Sequence, residues 1–189
     1  MRELVRIRVF AAAIGLLLVC HASSLADGEA EAVIAEIKRV VGANRSGYSV
    51  TFCARPPAVR DKSAVGHAFV LLAYEDAEKQ ASVQRALGFF PKNGSGVFST
   101  VEGELIDDFN KNAGKGPGVV RFTVHIGDEI GKKVEKEIEN WQKRPYNLAD
   151  ENCIAFTIAV AKIVKLKTPE KEGLLPIMYM RKLAEMNRN

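Results

Sequence analysis

Long apolar runs are scarce in this 189-residue chain, and the longest, Val9 to Cys20, falls short of the ~20 residues a spanning helix requires. A permanent membrane span is therefore not expected. Histidine and cysteine are equally sparse, with three of each. Few residues are thus available for nucleophilic or metal chemistry. Neither sign of charge dominates, since 27 basic residues stand against 23 acidic ones. No internal repeat and no low-complexity segment is found, which leaves an ordinary globular chain.

What the first residues do contain is the pattern of a secretory signal. Arg2, Arg6 and Arg8 form a positive start, Val9 to Cys20 the apolar centre, and Ser24-Leu25-Ala26 offers small residues for cleavage before Asp27. A lipoprotein signal ending at Cys20 is a variant that the bulky Val19 disfavours. The reading is export, to a periplasm or to the outside, with residues 1–26 removed and residues 27–189 forming one domain. Three of the basic and one of the acidic residues leave with the signal, so the net charge falls from +4 to about +2. Such a balance gives no case for nucleic acid as a partner. Lys111, Lys115, Arg121, Lys132, Lys133 and Lys136 read more simply as a solvated helix face and loop.

Processing also removes Cys20 and His21, leaving Cys53, Cys153, His67 and His125. Two cysteines in an oxidising compartment pair by default, so a Cys53–Cys153 disulfide is the competing expectation for any catalytic role. The same four residues have the ligand types for zinc, but no two of them share the short spacing of a structural site. No metal and no cofactor is expected.

Hydrophobic periodicity divides the mature chain. Asp27 to Gly42 reads as an amphipathic helix, and Tyr48 to Cys53 as a strand stopped by Pro56-Pro57. Ala64 to Tyr74 is apolar on both faces and so reads as a central strand. Val65, His67, Phe69 and Leu71 point one way, and Gly66, Ala68, Val70 and Leu72 the other. A charged stretch, Glu75 to Gln80, leads to Val83 to Phe90. Val97 to Val101 reads as a short strand, Asn110 to Gly118 as a loop and Val119 to Ile126 as a strand. Asp128 to Gln142 is an amphipathic helix, Asn152 to Lys165 a more apolar one, and Leu175 to Met186 the last. This order predicts an α+β layer fold with a mostly antiparallel sheet.

Chemistry concentrates where Tyr146-Asn147-Leu148-Ala149-Asp150-Glu151-Asn152-Cys153 opens the apolar helix. Asn152 is a favoured N-cap, which puts Cys153 at the first helical position, beside free N–H groups and the positive end of the helix dipole. Both favour thiolate, and the same N–H groups suit the oxyanion formed when sulfur attacks a carbonyl. A thiol nucleophile needs an imidazole to take and return its proton, and His67 on a rigid strand is the candidate.

Gly66-His67-Ala68-Phe69-Val70, followed by Tyr146-Asn147-Leu148 with Asn152-Cys153 and Phe156, resembles the circularly permuted branch of the papain-like NlpC superfamily. That branch includes PPPDE-type deubiquitinating and desumoylating peptidases and lecithin:retinol acyltransferase-like proteins. The motifs cover about a third of the chain and are short. The resemblance implies a permuted papain-like fold and a Cys153–His67 dyad that cleaves amide, isopeptide or ester bonds through an acyl-enzyme. A third residue often orients the imidazole in that branch; Gln84 and His125 are the candidates here. Export favours cell-wall peptide as substrate, with protein or lipid-ester substrates behind it. The alternatives are an acyltransferase using the same dyad, and a non-catalytic exported binding or inhibitor domain with a Cys53–Cys153 disulfide.

Two stretches imitate ligand loops. Asp108 to Asn112 begins like a calcium loop, but Ala113 fills the glycine slot and Val119 the final acidic slot. Gly114-Lys115-Gly116 lacks the spacing and the hydroxyl of a phosphate loop. Both read as surface loops.

Overall fold

The computed structural model describes residues 47–57, 65–76, 81–93, 99–113, 119–171 and 173–188. The expected signal segment, the expected Asp27 to Gly42 helix and residues 58–64, 77–80, 94–98 and 114–118 lie outside them. Six strands form one antiparallel sheet: β1 (Tyr48–Arg55), β2 (His67–Asp76), β3 (Ala81–Pro91), β4 (Val101–Asp107), β5 (Val120–Ile126) and β6 (Pro145–Tyr146), in the order β5-β1-β2-β3-β4-β6. The helices are α1 (Phe109–Ala113), α2 (Asp128–Trp141), α3 (Cys153–Ile163) and α4 (Pro176–Met186). This is the α+β fold with an antiparallel sheet that the periodicity predicts.

β2 is central, and its two-sided apolarity follows from that place. Ala68, Val70 and Leu72 join the main core with Val50, Phe52 and Ala54 of β1, under α2, α3 and α4. Phe69 and Leu71 face the other way, into a smaller cluster with Cys53, Ala86 and Ala113. The edge strand β5 shows clean alternation instead, burying Val120, Phe122, Val124 and Ile126 while exposing Arg121 and His125. α2 buries Ile130, Val134, Ile138 and Trp141 at helical spacing, and Asp128 and Glu129 occupy its first turn, where the dipole favours them.

Besides shifts at strand ends and the unexpected β6, two assignments near the site differ from the sequence reading. Of the strand expected over Val97 to Val101, residues 97–98 lie outside the described ones; a strand begins at Val101 and runs to Asp107 as β4, paired with β3 from Leu87↔Asp107 to Pro91↔Gly103. The stretch read as a loop from Asn110 starts with a helical turn, α1, in which Asp108 Oδ1 accepts the Lys111 N–H. Its residues Asn112 and Ala113 are buried against the smaller face of the sheet.

Candidate active site

The ladder between β2 and β3 begins only at Val70↔Leu87. The first residues of β2 therefore pair with β1 alone, through Arg55↔His67, Ala54↔Ala68 and Cys53↔Phe69. Gly66, at φ +81°, makes the turn that starts the strand, a backbone angle open to glycine at little cost. At this loosened end of the sheet the sequence-predicted residues come near one another, from different sides.

Cys153 arrives from the main-core side. Asn152 is the N-cap of α3, its Oδ1 accepting from the N–H of Ile154 at 3.0 Å and of Ala155 at 3.1 Å. Its Nδ2 donates to Leu148 O at 2.6 Å, so one side chain fixes both the helix start and the preceding loop. The Cys153 sulfur meets the N–H groups of Ala68, Ile154 and Cys153 itself, which favour thiolate. The residue is only 7% exposed, and burial, the larger effect, pushes the thiol up. The acidic thiol anticipated from the helix terminus alone is thus outweighed by desolvation. Tyr146, on β6, and Lys171 lie within electrostatic reach of the sulfur.

His67 turns to the other face. Its ring stacks on Phe90, with centroids 4.1 Å apart, and Nε2 lies 3.0 Å from Asn112 Oδ1. Asn112 leaves no choice of tautomer. Its Nδ2 faces three carbonyl oxygens, of Ala86 at 2.9 Å, Ile106 at 3.0 Å and Asp108 at 2.8 Å. Carbonyls only accept, so Nδ2 is the donor and Oδ1 must accept from an Nε2–H on His67. Nδ1 then carries the ring's lone pair. Burial, with Arg55 adding to it and the Asn112 bond opposing it, lowers the His67 pKa to about 3 and keeps the ring neutral. Arg55 Nε donates to Asn112 O at 3.0 Å and completes the cluster. A Cβ on Gly88 would overlap both Asn112 Oδ1 and His67 Nε2, so only glycine fits at that point of β3.

No hydrogen bond joins Cys153 to His67 among the described residues; the sulfur touches the β2 backbone at Ala68, one residue along from the imidazole. The two orienting candidates are elsewhere. Gln84 pairs with Ala73 and is exposed, six residues up β2 from His67 and so about 20 Å away. His125 is exposed on β5, beyond β1. The residue bonded to the imidazole is Asn112, which the sequence reading left in a loop. Cys53 and Cys153 are free thiols on opposite faces of the sheet, so no disulfide links them. Burial pushes the Cys53 thiol up to about 12. Among the described residues no helix is long and apolar enough to cross a membrane, and no group of acidic, His and Cys side chains forms a metal cluster. Against known proteins, the chain matches no family model, no curated protein and no solved structure.

Proposed function

We propose that the chain is an exported cysteine hydrolase of permuted papain-like fold, with Cys153 as nucleophile, His67 as base and Asn112 as the residue that orients the base. One observation carries this reading: the saturated Asn112 amide commits the Nε2–H of His67 to Oδ1 and reserves Nδ1 as the only basic nitrogen of the ring. A base whose tautomer is fixed by a buried amide is what proton transfer from a thiol needs.

The chemistry follows in two balanced halves. The Cys153 sulfur attacks a carbonyl carbon while its proton passes to Nδ1, and the carbonyl electron pair moves onto oxygen beside the Cys153 N–H, those of Ile154 and Ala155 being held by the Asn152 cap. The intermediate collapses to a thioester, and the amine leaves with the proton from Nδ1. Water then attacks the thioester, gives a proton back through Nδ1 to sulfur, and the acid departs. Both groups rest neutral, so the proton moves as the carbon–sulfur bond forms. The reading requires Nδ1 and the sulfur to close on each other around the loosened end of β2 when substrate binds. Export makes cell-wall peptide the favoured substrate. An acyltransferase would differ only in the nucleophile accepted by the thioester.

A second reading has its own observation. The imidazole and the thiol leave β2 toward different faces and both are buried, as in a binding domain that keeps the scaffold without the reaction. The disulfide-held form of that alternative does not apply, since both thiols are free.

The deciding experiment incubates the mature chain with peptidoglycan fragments and seeks a thioester on Cys153 by mass spectrometry at acid quench. Cys153→Ala and His67→Gln are expected to abolish turnover, and Cys53→Ala to retain it. A wild-type chain that releases no product and forms no adduct, while folded, establishes the binding domain instead.

A further inference from the structure

One charged side chain grips the loop that delivers Cys153, and it comes from a distant part of the chain. Residues 146–152 form a closed turn: Asn147 N–H donates to Glu151 O at 2.9 Å, Asp150 N–H to Asn147 Oδ1 at 2.6 Å, and Asn152 Nδ2 to Leu148 O at 2.6 Å. The carbonyls of Ala149 and Asp150 are left pointing outward from this turn. Lys171, in the connection between α3 and α4, takes both, with Nζ 2.6 Å from Ala149 O and 2.7 Å from Asp150 O. The side chain is half-buried, and both of its bonds lie at the surface.

We propose that Lys171 is a positioning residue for Cys153: its ammonium clamps the Ala149–Asp150 turn that leads into the helix start, and brings a positive charge to the loop that delivers the sulfur. This inference rests on the reading of Cys153 as nucleophile. Three backbone N–H groups already face the sulfur, and they oppose only in part the burial that disfavours thiolate. Lys171 acts in the same direction as those N–H groups. Its own ammonium is disfavoured by burial, and the charges of Asp150 and Glu151 offset part of that cost. The clamp and the charge are separable. An arginine keeps the charge and donates to carbonyls, a glutamine keeps a donor without charge, and a methionine keeps neither.

The test is the rate of Cys153 alkylation by iodoacetamide against pH, in the folded mature chain, with adducts located by peptide mass spectrometry. The buried Cys53 serves as the unreactive internal reference. Lys171→Met is expected to move the alkylation midpoint up by about half a unit to one unit, the scale of one partly screened charge near a thiol. Lys171→Arg should restore the wild-type profile. Lys171→Gln should give most of the shift with less loss of melting temperature, and stands in for the methionine variant if that one fails to fold. A reactive Cys153 whose profile is the same in wild type and the glutamine variant overturns the role of Lys171 alone. A Cys153 that does not alkylate at any pH in the folded wild-type chain overturns the nucleophile, and this role with it.

Discussion

Asn112 governs the candidate site at the scale of single residues, because its Nδ2 is fully committed to carbonyls and its Oδ1 holds the imidazole. Truncation to alanine would leave the His67 N–H without its acceptor, at ~1–3 kcal/mol if it finds no water, and would take one donor from three carbonyls, of which Ala86 O and Asp108 O keep the N–H groups of Asp108 and Asn112. With partial relaxation, Asn112→Ala is expected to lose about 2–4 kcal/mol in urea unfolding. Gly88→Ala should disturb the same pair from the other direction, by forcing the new methyl group into Asn112 and His67. The protonation of His67 gives a third handle. Its pKa is lowered to about 3 in the fold from an ordinary 6.5, so between these values the unfolded chain binds a proton that the folded chain refuses. Stability must therefore fall as pH falls through that window, by at most about 1.4 kcal/mol per pH unit for this one group. His67→Gln preserves a donor for Asn112 and removes the titration. Between pH 6.5 and 5, above the main range of the carboxylates, its stability should depend less steeply on pH than that of wild type. Equal slopes in the two proteins would mean that His67 is not buried and neutral.

At the scale of elements, the helix that presents Cys153 depends on one cap. Asn152→Ala removes acceptors for two α3 N–H groups and the tie to Leu148, and is expected to cost about 1–2 kcal/mol, visible in thermal melts. Asn152→Asp keeps the acceptor beside the helix dipole and should lose less. The same element shows why some of the fold was legible in the sequence. The Asn152 cap, the apolar run of α3 and the two-sided β2 are written in local patterns, because each element's burial follows from its own residues. β4 was misread because Val101–Asp107 mixes Gly103 with acidic residues and has only the two-residue β6 on its outer side. α1 was misread for a related reason. It is a five-residue turn among polar residues, and the burial of Asn112 comes from β1, β2 and β3 folding over it, not from any periodicity of its own. The nucleophile's end of the site could thus be read from one segment, whereas the partner of the imidazole could not. Lys171 was equally invisible, since its two carbonyl acceptors lie more than twenty residues earlier in the chain.

For the whole molecule, the sheet itself decides the fate of the two thiols. Cys53 points from β1 into the smaller cluster with Phe69 and Leu71, whereas Cys153 sits on α3 in the main core. A disulfide needs Cα atoms within about 7 Å and Cβ vectors that converge, and side chains on opposite faces of one sheet do not meet that geometry. An oxidising compartment supplies the chemistry for a bridge, but the fold withholds the approach. Both sulfurs are moreover buried as thiols, Cys53 held near 12 by desolvation, so neither offers much thiolate to an oxidant at neutral pH. Under the proposed export, the mature chain is expected to begin at Asp27, and the fold gives it two reduced cysteines. Intact-mass measurement after alkylation in denaturant, without reductant, should show two adducts per chain. The melting temperature should be the same with and without reductant, whereas a native bridge would contribute about 2–5 kcal/mol and its reduction would lower the melt. A chain that takes no label until it is reduced would mean that Cys53 and Cys153 share one face, which would reverse the side-chain alternation of β1 against the core and with it the placement of α3 on the sheet.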